Sequence, residues 1–287
     1  MVFRSIKLPL RKHDFLEGSI LGAISFIKEA TLYEEYAARP AFLQTLDPRI
    51  KVVSFLFLLM LAVLLKNNVL IGCIYCFCLM LTFIADIPLL FFLGRTWLFI
   101  PLFSLFMVFP SLFSFITPGA SLWSMNLGGV TLSITKSGLA GALLFVTRIA
   151  TTVSLVVLLS LTTRHTELLK VLRTFRVPQI FVMTLSMCYR YIYLYATIVE
   201  NSFTAIKSRV GKVTQHKRGQ RLVTGSMATT WRRSVRMSEE IYNAMLSRGY
   251  TGNPVILTQH QTKIADWLWL PGVIIFGLIL MKLEYQW

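Results

Sequence analysis

Long apolar runs separated by short polar breaks occupy most of this chain, and their length predicts helices that cross a membrane. The runs cover residues 52–65, 69–85, 97–116, 138–161 and 267–281. A polar, glycine-containing segment at 117–137 is expected to be a loop outside the membrane. The pattern therefore predicts an all-α polytopic membrane protein with about five transmembrane helices.

Characteristic residues mark the ends of the first and last spans. Asp47 can cap a helix that starts at Pro48, because the proline lacks only an N–H that would have no partner there. Arg49 follows, and Lys51 and Lys66 flank the run, where their long side chains are expected to reach the membrane surface. The last span is flanked by aromatic residues of the kind found at membrane interfaces, namely Trp267, Trp269, Tyr285 and Trp287.

A further apolar run at 177–199 allows two interpretations. It is long enough to span a membrane, but Arg190 lies inside it and tyrosines recur at positions 189, 191, 193 and 195. We favour a helix that starts at Pro178 and lies half-sunk in the membrane against other parts of the protein. A sixth transmembrane helix is the alternative.

Composition and charge restrict the class of protein and its orientation. Of the 287 residues, 55% are hydrophobic and only 15% are charged, which excludes a soluble enzyme and a disordered chain. Of the 29 Lys and Arg residues, eight lie in residues 1–51 and sixteen in residues 163–265. The positive-inside rule then places both regions in the cytoplasm, with four spans between them, in a multi-pass protein of the cell membrane.

These features divide the chain into four parts. Residues 1–46 form an N-terminal cytoplasmic or interfacial arm, in which residues 15–29 have the spacing of an amphipathic helix. Residues 47–162 carry the first four transmembrane helices. Residues 163–265 form a basic, helical cytoplasmic domain whose 177–199 segment is membrane-associated, and residues 266–287 form the C-terminal transmembrane helix.

The basic cytoplasmic domain contains an internal repeat. Residues 200–209 match residues 239–248 at a distance of 39 positions. The identical pairs are Glu200 and Glu239, Ala205 and Ala244, Ser208 and Ser247, and Arg209 and Arg248. On a helix, the alanines and the apolar residues around them form one packing stripe that ends in the arginine.

Each repeat is expected to end a helix with an exposed arginine. Gly249 can adopt the left-handed conformation that terminates a helix just after Arg248. An arginine at a helix C-terminus is favoured by the helix dipole, and its planar guanidinium can bind a carboxylate through two hydrogen bonds. A single arginine of this kind is often only solvated, but the matched pair favours docking into two equivalent acidic sites.

With these motifs, the chain resembles the transmembrane T component of energy-coupling factor (ECF) transporters, which are ABC-type importers. It is most similar to the CbiQ type of cobalt and nickel importers. The resemblance covers about residues 40–252 and is carried by Leu46-Asp47-Pro48-Arg49-Ile50-Lys51, Leu161-Thr162-Thr163, Val177-Pro178, Arg190-Tyr191 and the two arginine motifs.

The resemblance implies a non-catalytic subunit of a transporter complex. Such a subunit joins two CbiO-like cytoplasmic ATPases to a CbiM-like substrate-binding membrane subunit, with or without a small accessory membrane subunit. The chain itself would hold no cofactor and no metal, because ATP and Mg²⁺ belong to the ATPases. Cobalt is the favoured cargo, and nickel or a vitamin is the alternative.

The resemblance also gives the arginines a role. In the family, two coupling helices end in Ala-Arg-Ser and Ala-Arg-Gly motifs, and each helix inserts into a groove of one ATPase. The corresponding residues are Ser208-Arg209-Val210 and Ser247-Arg248-Gly249, so serine replaces the alanine in both. Val210 also departs from the small third residue of the first motif.

Three other features of the sequence allow roles outside this coupling function. Cys73, Cys76 and Cys78 could bind a soft metal ion, but the proposed spans contain no histidine, so packing between helices is favoured. Arg148, a charge inside the fourth span, has two equal explanations, which are bonding between helices and contact with the substrate-binding subunit. A polytopic membrane enzyme is the less favoured alternative function. The basic run at 212–236 is assigned to lipid head groups and an acidic partner, and not to nucleic acid.

Overall fold

The computed structural model describes residues 36–37, 39–97, 103–104, 106, 108, 121–127, 130–210, 216–252 and 264–286. The expected helix at 15–29, most of the expected span at 97–116, and Trp287 lie outside these residues. The elements are α1 (Phe42–Thr45), α2 (Pro48–Leu64), α3 (Asn68–Ile84), α4 (Leu89–Trp97), β1 (Ser121–Leu127), β2 (Val130–Thr135), α5 (Lys136–Thr162), α6 (His165–Thr174), α7 (Gln179–Val210), α8 (His216–Ser247) and α9 (Ile264–Gln286).

The described chain divides into two compact units. One contains α1 to α6, the two strands and α9, and the other contains α7 and α8. In the first unit, α5 packs against α2, α3 and α4, while α9 and α6 pack against α2. Buried residues repeat every three or four positions, as in Leu155 and Leu158 of α5 and Leu58 and Leu61 of α2, so each helix buries one stripe.

The exposed faces of these helices are as apolar as the buried ones. Met60 of α2, Phe83 of α3 and Leu268 of α9 are 60%, 73% and 72% exposed. Helices that are apolar all round are typical of membrane spans. On α9, the exposed Trp267 and Tyr285 lie 18 residues apart, about 27 Å along a helix, which is close to the thickness of a bilayer core.

Two helices are long and apolar enough to cross a membrane, Gly138–Thr162 and Asp266–Gln286, and Asn68–Ile84 is a shorter apolar helix. They coincide with three of the predicted runs. Helix α7 is not among the qualifying helices, and the interpretation of residues 177–199 as a half-sunk helix stays a prediction. The number of transmembrane helices stays a prediction.

The described residues are predominantly helical, as the all-α prediction requires, and one β-hairpin is an exception. Strands β1 and β2 pair antiparallel from Ser121 with Thr135 to Leu127 with Val130. In the sequence, only Gly128 and Gly129 lie between the residues of the last pair. The polar segment at 117–137 therefore contains paired strands where a loop was expected.

Candidate coupling surface

Helices α7 and α8 are each 32 residues long and pack against one another along an apolar groove. The groove has a volume of about 1140 Å³. Its lining includes Met183, Met187, Tyr191, Met237, Ile241 and Met245. Methionine side chains are flexible and adapt to irregular surfaces, so this groove can accommodate small shifts between the two helices.

The two helices run antiparallel. Tyr250 follows the end of α8, and its hydroxyl lies 3.2 Å from the sulfur of Met183, near the start of α7. The end of α8 therefore lies beside the start of α7. Arg209 is 26 residues beyond Met183 along α7, which is about 39 Å at 1.5 Å per residue. Arg209 and Arg248, which we call the terminal arginines, thus occupy opposite ends of the helix pair.

Both terminal arginines have exposed side chains. Arg209 is the penultimate residue of α7, and Arg248 directly follows the last residue of α8. Within the described part of the chain, neither side chain has a hydrogen-bonding or ion-pair partner. Each guanidinium can therefore bind an acidic group of another protein without first losing a contact.

A hydrogen-bonded turn fixes the position of Arg248. Gly249 has a φ of +81°, and its N–H donates to the Leu246 carbonyl at 3.0 Å, while the Tyr250 N–H donates to the Met245 carbonyl at 3.0 Å. These two bonds form the Schellman arrangement that satisfies the last carbonyls of a helix. The predicted helix end at Gly249 is confirmed.

The two serines of the repeat have the same local role. The Ser208 hydroxyl donates to the Ala205 carbonyl at 2.9 Å, and the Ser247 hydroxyl lies 3.1 Å from the Ala244 carbonyl and 3.0 Å from the Asn243 carbonyl. Their single hydroxyl protons are therefore used within their own helices. The replacement of alanine by serine in both motifs therefore adds no charge beside the exposed arginine.

The predicted packing stripe is only partly present. Ile206 and Met245 are half-buried, but Ala205 and Ala244, which were placed on the same stripe, are exposed. Neither alanine lines the groove between α7 and α8, so the packing of these helices does not bury them. The exposed alanines give each helix end a slender profile beside its terminal arginine.

The remaining candidates of this unit lie away from the helix ends. Helix α7 begins directly after Pro178, whose carbonyl accepts a hydrogen bond from the Phe181 N–H at 3.1 Å. Arg190 is exposed in the middle of α7. Glu200 is half-buried and its repeat partner Glu239 is exposed, so the two glutamates are not equivalent in their surroundings.

The Asp47-Pro48-Arg49 candidates lie in the other unit, at the start of α2. The Asp47 carboxylate accepts from the Arg49 N–H at 2.9 Å, and Pro48 occupies the first helical position, as predicted. The Asp47 N–H donates to the buried Asp266 carboxylate at 2.8 Å, which joins α2 to the start of α9. The Arg49 side chain is exposed. Asp47 and Pro48 therefore connect helices, and only Arg49 is available to a partner.

Lys51 was expected to reach out to the membrane surface, and this expectation is wrong. Its side chain is 1% exposed, and its ammonium donates to the Thr162 carbonyl at 3.0 Å and the Thr163 hydroxyl at 3.2 Å. The free carbonyls at the end of α5 attract the cation, as helix C-termini do. Burial lowers the pKa of Lys51, which precedes the predicted span at 52–65, to about 8, although the carboxylates of Glu167 and Asp266 raise it.

Asp47, Lys51, Thr162, Thr163 and Asp266 form what we call the polar junction. It ties together the start of α2, the end of α5 and the start of α9 at one end of the unit. Sequence reasoning missed Asp266 altogether. An acidic residue in the first turn of the last apolar helix was the available signal, because helix N-termini favour negative charge.

Arg148 bonds to another helix end. Its Nη2 donates to the carbonyl of Leu65, the C-cap residue of α2, at 2.6 Å. The predicted explanation that involves bonding between helices is therefore present in the structure. The Arg148 Nε is buried and has no hydrogen-bonding partner among the described residues.

The cysteines form no metal site in the described residues, where no cluster of three or more potential ligands occurs. Cys78 is buried between helices, and Cys73 and Cys76 are exposed. Cys78 fits the predicted role in packing.

Comparison with known proteins agrees with the motifs. A family profile described as "Cobalt transport protein" (CbiQ) matches residues 40–263, about three quarters of the chain. The chain belongs to the CbiQ family. The family identification made from the arginine motifs and the Asp47-Pro48 segment is thereby confirmed, and the matched region includes both terminal arginines.

Two relatives match across most of their length. The chain is 32% identical over 276 residues to an uncharacterized protein of Methanocaldococcus jannaschii, covering 95% of this chain and 93% of the relative. It is 28% identical over 272 residues to the energy-coupling factor transporter transmembrane protein EcfT of Streptococcus thermophilus, covering 87% and 97%. The CbiQ family is a family of transporter components, and membership implies a membrane location.

Proposed function

We propose that this chain is the non-catalytic coupling subunit of an ECF-type importer in the cell membrane. In this proposal, it transmits ATP-driven movement of two CbiO-like ATPases to a CbiM-like substrate-binding membrane subunit, with or without a small accessory subunit. The N-terminus and the α7–α8 unit lie in the cytoplasm. ATP and Mg²⁺ bind to the ATPases, and this chain binds no cofactor.

The observation that carries the proposal is the placement of the terminal arginines. They are exposed, they stand at equivalent positions of a repeated sequence, and the antiparallel pairing separates them by about 39 Å. A single acidic pocket cannot bind two groups so far apart. Two separate subunits, each with one acidic groove, can.

The proposed movement is a shear between α7 and α8. ATP binding draws the two ATPases together, and each terminal arginine carries its helix with it. The groove between the helices is lined by methionines, whose side chains can repack as the helices slide. The substrate-binding subunit responds to this change by reorienting.

Cobalt is the proposed cargo, because the family description names cobalt transport. Nickel or a vitamin would change the partner and not the role of this chain.

The proposal is tested by charge reversal at the two helix ends. Arg209→Glu and Arg248→Glu are made singly and together, and the tagged chain is purified from native membranes with its partners. We expect each single variant to lose one of two ATPase copies and the double variant to lose both, with loss of ⁵⁷Co²⁺ uptake. Arg233→Glu, an exposed arginine of α8 away from the ends, is the matched control and keeps both ATPases.

Two outcomes contradict the proposal. One is a double variant that retains both ATPases and transports normally, because the terminal arginines then do not bind them. The other is equal loss of ATPases from the Arg233→Glu control, because the effect is then one of overall charge.

A further inference from the structure

The first half of α8 carries an exposed apolar stripe on residues that do not line the groove with α7. Met227, Trp231 and Val235 follow one another at intervals of four residues and are 67%, 73% and 45% exposed. Residues four apart lie on the same side of a helix, so the three side chains form one continuous strip. Nothing in the described part of this unit covers it.

Arginines border this strip on one side. Arg232 and Arg236 are exposed and, like the apolar residues, are spaced four apart. Each follows an apolar residue of the strip by one position, so it lies about 100° around the helix from it. We call Met227, Trp231, Val235, Arg232 and Arg236 the arginine-flanked face.

Positive charge dominates the first half of α8, and the acidic Glu239 and Glu240 follow Val235 only by four and five positions. Residues 201–238 contain no Asp or Glu, while α8 alone has six Lys and Arg between 216 and 236. An apolar strip that includes tryptophan and is bordered by arginines is the pattern of a helix that lies in the interface of an anionic membrane. An acidic protein surface would bind the arginines but would leave the exposed Trp231 without a complement.

We propose that the arginine-flanked face of α8 rests on the anionic leaflet of the membrane. Met227, Trp231 and Val235 enter the interface between head groups and acyl chains, and Arg232 and Arg236 bind lipid phosphates. This contact goes beyond the proposed docking of ATPases and involves neither terminal arginine. It would hold α8 parallel to the membrane while its end moves.

The test places a fluorescent label on the face and a lipid quencher in the bilayer. Exposed Cys73, Cys76 and Cys188 are replaced by serine, and Trp231→Cys is labelled with bimane in the full-length chain with its partners. The complex is reconstituted in nanodiscs that contain brominated lipid and either phosphatidylglycerol or phosphatidylcholine alone. Glu240→Cys is the matched control, because residue 240 is nine positions after residue 231 and therefore lies on the opposite side of the helix.

We expect bromine quenching at position 231 and not at position 240, and we expect it to weaken without phosphatidylglycerol. Each of Arg232→Gln and Arg236→Gln should reduce the ratio of membrane-bound to free helix about fivefold. Arg233→Gln lies on the far side of α8 and should leave the quenching unchanged.

Equal quenching at positions 231 and 240, or quenching at 231 that does not depend on lipid charge, overturns the proposal. So does protection of position 231 by the ATPases in place of lipid, because the face is then a protein contact. These results do not depend on ATPase co-purification. The lipid contact can therefore fail while the coupling role stands, and the coupling role can fail while the lipid contact stands.

Discussion

The buried ammonium of Lys51 should make the stability of the transmembrane unit depend on pH. Its pKa in the folded protein is about 8, against an ordinary value of 10.5. Between these two values the unfolded chain binds its proton and the folded chain does not, so stability rises as pH increases. Below pH 8 both states are protonated and the cost of burying the charge is fully present.

The size of this effect follows from the two pKa values. The interval between about 8 and 10.5 corresponds to about 3 kcal/mol in free energy of unfolding. For a unit of about 150 residues, this amounts to about 6–12 °C in melting temperature. In Lys51→Met the side chain keeps nearly the same length but cannot titrate, so this part of the pH dependence disappears.

The measurement is thermal unfolding in detergent, followed by tryptophan fluorescence at several pH values from 7 to 10.5. Other groups titrate in this range, so the informative quantity is the difference between wild type and Lys51→Met at each pH. Lys66→Met, at the other end of α2 and exposed, is the control and should follow wild type. If the wild-type and Lys51→Met curves stay parallel across this range, the burial argument is refuted.

Four further substitutions test separate features. Arg148→Gln loses the charged hydrogen bond to the end of α2 and should cost about 1.5–3 kcal/mol, measured by denaturant unfolding, and an unchanged midpoint would contradict the assigned bond. Gly277→Leu should lower the free energy of unfolding by about 1–3 kcal/mol, because even a Cβ at Gly277 would lie 2.5 Å from the Phe57 ring of α2. A normal melting temperature would disprove this contact. The combined Ser208→Ala and Ser247→Ala variant should keep ATPase binding within twofold, since both hydroxyls bond to their own helices. Gly249→Ala places a side chain at a φ of +81°, which costs about 1–2 kcal/mol of strain. It should weaken ATPase binding at Arg248 and not at Arg209, and pulldown of Gly249→Ala combined with the charge reversal at one end or the other would detect this.

The sequence was most informative where a local rule decides the structure. The helix cap at Asp47, the first-turn proline at 48 and the left-handed glycine at 249 each depend on nearby backbone groups, and each is present as predicted. The arginine motifs needed only the repeat and a helical periodicity. These features could be predicted because their causes lie within a few residues of chain.

Predictions failed where the deciding partner lies far along the chain. Lys51 contacts residues 111 and 112 positions away, and no local pattern shows that the end of α5 would attract it. The exposure of Ala205 and Ala244 depends on where α7 and α8 pack, which the repeat alone does not show. The hairpin at 121–135 was missed although a signal was available, because Val130–Thr135 alternates apolar and polar residues as a half-buried strand does.

The antiparallel pairing of two repeated helices has a geometric consequence for assembly. A repeat whose copies run in opposite directions approximates a two-fold axis between them, although the chain itself is a single copy. In the proposed complex, the pair of ATPases that close on ATP is also two-fold. One ATPase would then meet the end of α7 at Arg209, and the other would meet the equivalent end of α8 at Arg248. Two products of one ATPase gene would therefore suffice, and this subunit would not need to distinguish a left partner from a right one.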